Sequence, residues 1–276
     1  MLIYILIIII ILIFYFVKNT IIFIPKCQFR KMVMSNSYFS KLNHKDFQYR
    51  EDGGFIDLSD KINYYRDIYA NSFVEITPFQ KDRIYILKEQ LEKLISKNLN
   101  KKYHILNRIM LKIALLNDNK KIEGGFPHTL EDIIILRESF FQYNYRQQLE
   151  TLAHELVHIY QRNYRNEYLQ LVKKIGFIPS TAVIKFVPAA NPDTDNIIYT
   201  YKFFNNLLYI MNIYNGDREM NFKSIGVYSD KIIEIDFNSS LSQQGHPNEI
   251  IAELLARVIC GNKKVRADWY SIIINH

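Results

Sequence analysis

Between residues 147 and 174, apolar side chains recur at helical spacing (Leu149, Leu152, Ala153, Leu156, Val157, Tyr160 and Tyr164), and Gly176 and Pro179 mark the stop. A helix with one such stripe must lie on a core, so it sets the main packing surface of any fold the chain adopts. Its other face is unusual. His154 and His158 stand four residues apart, off the stripe, in His154-Glu155-Leu156-Val157-His158. At about 100° per residue both imidazoles reach the same side, one turn apart. Two neutral rings so placed can hold one zinc ion, and the glutamate between them can act as base on water at that ion. The helix therefore has a core face and a metal face.

A catalytic zinc needs a third protein ligand and an open position. The extended pattern with a further histidine is absent, since position 161 is Gln and position 164 is Tyr. The stretch His246-Pro247-Asn248-Glu249-Ile250-Ile251-Ala252-Glu253 supplies acids instead, on a helix opened by Pro247, running to about Ile259 and capped by Gly261. Glu249 and Glu253 share one face, while Ile250, Leu254 and Leu255 cover the other. Carboxylates on so apolar a helix are costly to bury unless paired or metal-bound, and Ala252 lets a neighbouring helix approach closely. The expectation is Glu249 as the third ligand and Glu253 as an acceptor orienting a ligating histidine. Glu253 as the ligand is the alternative. Asp217, Glu219, Glu234 and Asp236 lack a comparable helical setting.

Together, His154-Glu155-x-x-His158 and Glu249-x-x-Ala252-Glu253 resemble the gluzincin zinc metallopeptidases, most closely the lethal-factor-like branch with its Glu-x-x-Ala-Glu helix. The resemblance implies an α+β, zincin-like domain, with the active-site helix packed on a small mixed sheet. It also implies one Zn²⁺ per chain held by His154, His158 and Glu249, and Glu155 as the catalytic base in the hydrolysis of a protein or peptide substrate. Such enzymes hold the substrate backbone along an edge strand before the motif helix. Residues 126–136, with the β-branched run Ile133-Ile134-Ile135, stand in that place, either as this recognition strand or as an ordinary core strand. His128 reads as a turn residue there, and His246 is a candidate oxyanion stabiliser.

The N-terminus points elsewhere. Leu2 to Val17 is uncharged and almost purely apolar, and Lys18 ends it. That length sits at the lower limit for crossing a hydrocarbon core of about 30 Å, and Ile21 to Ile24 could extend it. The expected organisation is a transmembrane anchor over 1–24, a juxtamembrane connector over 25–60 and a metallopeptidase domain over 61–276. Lys18, Lys26, Arg30 and Lys31 all follow the run, which places the domain on the cytoplasmic face of a membrane contacted through residues 2–17. A cleaved signal peptide, and hence a secreted enzyme, is the rival, but no basic residue precedes the run and no small-x-small site follows it.

The formal charge of +7 is modest. With no zinc-finger spacing, RNA-binding signature or phosphate loop, no nucleic-acid partner is expected. Cys27 and Cys260 are too few for a disulfide framework or a cysteine metal cluster. Residues 191–196 lack the glycine and final acid of a calcium loop and read as a turn. Elsewhere a helix is expected over 78–98, helix or strand over 105–116, and strands over 181–187, 197–204 and 231–237. A tethered interaction protein with a structural or vestigial zinc site is the other class of answer, though such a site has no use for Glu155.

Overall fold

A five-residue strand, Lys112–Leu116, divides the interior in two. Ile113 and Leu115 enter the larger hydrophobic core, Ala114 and Leu116 the smaller. The strand Ile133–Arg137 beside it sends Ile134 and Leu136 one way, Ile133 and Ile135 the other. Strands covered on both faces are apolar at every position, which is why three isoleucines stand in a row without alternation.

The computed structural model describes residues 4, 21–48, 50–119, 122–180, 191–194, 198–203, 206–211, 224–228, 231–235, 246–262 and 265–275. In chain order they form β1 (Ile22–Phe23), α1 (Lys26–Ser35), α2 (Leu58–Asn71), β2 (Phe73–Val74), α3 (Pro78–Asn98) and β3 (Lys112–Leu116). Then come β4 (His128–Leu130), β5 (Ile133–Arg137), α4 (Tyr145–Asn163), α5 (Arg165–Ile175) and β6 (Phe177–Ser180). The chain closes with β7 (Ile198–Phe203), β8 (Asn206–Met211), β9 (Ser224–Tyr228), β10 (Lys231–Ile235), α6 (Pro247–Ile259) and α7 (Ala267–Asn275).

The first sheet runs β1-β3-β5-β4, with β1, β3 and β5 parallel, β4 antiparallel at one edge, and β2 antiparallel beside the end of β3. Phe29 and Val33 of α1 and Tyr65 and Tyr69 of α2 fill the smaller core; α3, α4 and α6 fill the larger. The second sheet is an antiparallel meander from β6 to β10, tied to the larger core through Phe177 and Tyr199.

Local chemistry accounts for the helix ends. Thr77 with Gln80 and Asn144 with Gln147 form capping boxes that satisfy the first N–H groups of α3 and α4. Pro247 opens α6, and Gly261 turns out of it at φ 73°. The helix expected over 147–174 divides at Tyr164, whose φ and ψ are −124° and 48°. No proline or glycine stands there, so packing makes the break. It carries Leu171 and Val172 into the larger core and brings the Tyr168 hydroxyl to Asn248 Oδ1 at 2.7 Å. The segment 105–116 likewise splits, into the end of a 3₁₀ stretch (Lys101–Arg108) and β3. Strands expected at 197–204 and 231–237 fall on β7 and β10, β8 and β9 were not foreseen, and 181–187 lies outside the described residues.

The architecture is mixed α+β, and the transmembrane helix expected in front of it is not supported. Among the described residues no helix is long and apolar enough to cross a membrane; the run 2–17, apart from Tyr4, lies outside them. Ile21 to Ile24, expected to lengthen the anchor, belongs to the domain. Ile22 and Ile24 donate to the carbonyls of Leu111 and Ile113 at 2.9 Å, and Ile21 and Ile24 are buried in the two cores. The expected connector over 25–60 is folded too, because Phe29, Val33, Phe39, Leu42 and Phe47 cover one face of the sheet.

Beneath that layer, buried Glu123 accepts from Arg50 Nη2, Tyr38 Oη and Tyr65 Oη, each at 2.8 Å. Burial alone would raise its pKa, but Arg50 and these hydrogen bonds hold it below the ordinary carboxylate value. A folded-state pKa below the unfolded one contributes stability that is present above about pH 4.3 and lost as pH falls toward the folded value. Chemical denaturation should therefore show Glu123→Gln less stable by about 2 kcal/mol at neutral pH, because buried Arg50 loses its closest carboxylate and keeps Asp46 at 3.7 Å. It should also show less of the parent's loss of stability below about pH 4.3.

Candidate metal centre

Helices α4 and α6 meet through their polar groups. Gln161 Nε2 donates to the Asn248 carbonyl at 2.8 Å, and this turns its Oε1 toward His158 Nδ1 at 2.9 Å. His158 must then donate from Nδ1, so in the neutral ring the lone pair lies on Nε2. That atom lies 2.9 Å from His154 Nε2. Glu249 Oε2 stands 3.2 Å from His154 Nε2 and 3.3 Å from His158 Nε2. Metal–ligand bonds of about 2.0–2.1 Å at tetrahedral angles place neighbouring ligand atoms about 3.3 Å apart. The trio fits that spacing, and electron-rich atoms this close require a shared proton or a metal ion between them.

The electrostatics agree. Burial disfavours a charged His158, but the Glu249 carboxylate outweighs it and pushes the imidazole up to about 9. Burial would likewise raise Glu249, yet His158 and the hydrogen bonds from both histidines hold it well below the usual carboxylate range. Its other oxygen, Oε1, accepts from Asn191 Nδ2 at 2.9 Å. Glu155 goes the opposite way: burial, then the nearby Asp193 carboxylate, push it well above its ordinary value. The two buried acids are thus pushed in opposite directions, Glu249 toward its ionised form and Glu155 away from it. A divalent cation at the three converging atoms would oppose Asp193 and favour the ionised form of Glu155.

Glu155 is 3% exposed, and its Oε2 has no hydrogen-bond partner. It lines a cavity of about 280 Å³ together with His154, Thr151, Phe126, Pro127 and Tyr143. His158 and Glu249 are buried, and the centre meets this cavity through His154 and Glu155.

The structure brings together four of the expected residues: His154, Glu155, His158 and Glu249. Glu253 lines the same cavity but accepts from Arg257 at 2.6 Å, and Gln161 does the orienting expected of it, at His158. His246, the candidate oxyanion stabiliser, is the N-cap of α6; its Nδ1 accepts from Asn248 N at 3.1 Å, and it lies outside the cavity lining. His128 is no turn residue but a buried strand residue that donates to the Phe126 carbonyl and accepts from Tyr69. Glu234 falls on β10, while 217, 219 and 236 lie outside the described residues. The turn read at 191–196 is present over its described part: Thr194 N donates to the Asn191 carbonyl at 3.2 Å.

Sequence reasoning missed Gln161, Asn191, Asp193 and Asn248. Gln161 was within reach, because three residues past His158 it shares that helical side. Asn191 and Asp193 carry no periodic signal, and their roles exist only once the chain has folded back. Compared with models of known protein families, with curated proteins and with solved structures, the chain matches none.

Replacing the group that orients a ligating histidine weakens metal binding about 10- to 100-fold. Gln161→Leu should show that loss in competition with a chromogenic zinc chelator, whereas Gln161→Glu, which keeps the acceptor for His158 but loses the donor to the Asn248 carbonyl, should fall between the two. Equal affinities for parent and leucine variant would remove Gln161 from the site.

Proposed function

We propose that the protein is a zinc-dependent metallopeptidase that hydrolyses peptide bonds in a protein or peptide substrate. One observation carries the reading: His154, His158 and Glu249 converge within 2.9–3.3 Å, and the unpartnered oxygen of Glu155 stands beside them in an open cavity. Zinc at the three ligand atoms would polarise the scissile carbonyl and acidify water. The chain's own residues do the rest. Gln161 and Asn191 fix the ligand side chains, and the cavity beside Phe126, Pro127 and Tyr143 receives the substrate. Glu155 takes one proton from the attacking water and passes it to the departing amine nitrogen as the C–N bond breaks.

The competing reading, a structural zinc site in an interaction protein, fits less well. Structural sites are closed by four protein ligands, and a buried carboxylate oxygen without a partner is a standing cost with no structural return. The decisive variant is Glu155→Gln. It should bind zinc in parental stoichiometry and lose about 10²- to 10⁴-fold in turnover of a peptide library. Cleavage at the parental rate would mean that Glu155 is not the base.

A further inference from the structure

At the outer edge of the first sheet, β4 is bonded to β5 and Thr129 stands opposite Ile134. Residue pairs in an antiparallel ladder alternate between bonded inward and facing outward. Thr129 N–H donates to Asp193 Oδ1 at 2.7 Å, so its pair is the outward one, and the N–H groups of His128 and Leu130 turn toward β5. In this three-residue strand, Thr129 alone offers an outward donor. A peptide adding to the edge would need that N–H for its own carbonyl. The Asp193 carboxylate already has it.

The same turn lies across the metal centre. Asn191 Nδ2 donates to Glu249 Oε1, and metal-binding atoms of Asp193, Glu155 and His158 fall within 4.8 Å of one another. Arg162 of α4 clamps it, reaching the Pro192 carbonyl at 2.6 Å, the Glu131 carbonyl at 2.8 Å and the Asp193 carboxylate at 3.6 Å. Cavities flank the turn along the strand. One meets Phe126 and Pro127 before β4, and another of about 260 Å³ meets Leu130 and Glu131 after it. The Asp193–Thr129 contact lies between the stretches of chain that meet these two cavities.

We propose that the Asn191–Thr194 turn is a built-in competitor of the substrate: Asp193 occupies the β4 edge in place of an extended peptide, which binds only when the turn leaves Thr129. The inference rests on the metallopeptidase reading and adds self-inhibition to it. The test uses the full zinc-loaded chain and two probes, acetohydroxamate, which needs only the metal, and a tripeptide hydroxamate, which also needs the strand edge. Asp193→Ala should raise the ratio of tripeptide-probe to acetohydroxamate affinity about tenfold or more, a ratio that cancels the effect of the lost charge on Glu155 and His158. Asp193→Asn, which keeps an acceptor for Thr129 N–H but loses the ion pair to Arg162, should raise that ratio less than the alanine variant does. Arg162→Gln loosens the clamp by removing the ion pair to Asp193 while that carboxylate stays in place, and it should shift tripeptide binding in the same direction, even if the alanine variant fails to fold. Folded, zinc-loaded variants that bind both probes at parental affinity overturn the competitor. A parent that takes up no zinc sinks the metallopeptidase reading and this proposal together.

Discussion

Glu249 is a carboxylate on a helix buried at every residue from Pro247 to Ala256. An ionised group so placed is tolerated only when other groups replace its lost water. Here His154 and His158 face one oxygen and Asn191 donates to the other. That requirement sets how α6 lies against α4, since the two helices must bring one acid to two histidines a turn apart. Gln161 and Tyr168 then lock the arrangement by meeting backbone and side chain of the same residue, Asn248.

The rest of the molecule serves this contact from outside. Strands β3 and β5 give α4 a flat apolar surface, and α1 and α2 cover the sheet's far face, so the sheet is held on both sides. The site gains its directionality from unequal treatment of two acids. Glu249, between imidazoles, stays ionised; Glu155, facing a cavity and Asp193, resists ionisation. A shared cation at the centre would satisfy the first and release the second, which is how a site of this kind can both hold a metal and move a proton.

Much of this was legible in the chain. The helices over 78–98 and 247–259 carry their own caps, and the two-faced helix bearing His154 and His158 follows from spacing alone. Continuous apolar runs were the weak point. Ile21 to Ile24 reads equally as the end of a span or as a strand, since hydropathy does not distinguish a lipid environment from a sheet interior; pairing with Leu111 and Ile113 decides it. Residues 25–60 misled for the opposite reason. Phe39, Leu42 and Phe47 are buried from short 3₁₀ turns and loops, where burial follows no period.

By itself the sequence determined a helix with a core face and a histidine-bearing face, and an apolar helix carrying two acids that such histidines would pair with. Local spacing and propensity suffice for that, because both motifs lie within single elements. Only the tertiary structure set Glu249 rather than Glu253 beside the two histidines and laid Asp193 on the β4 edge. Those outcomes depend on how segments some 64 to 95 residues apart are brought together, and no pattern within either segment encodes which polar group will be left facing which.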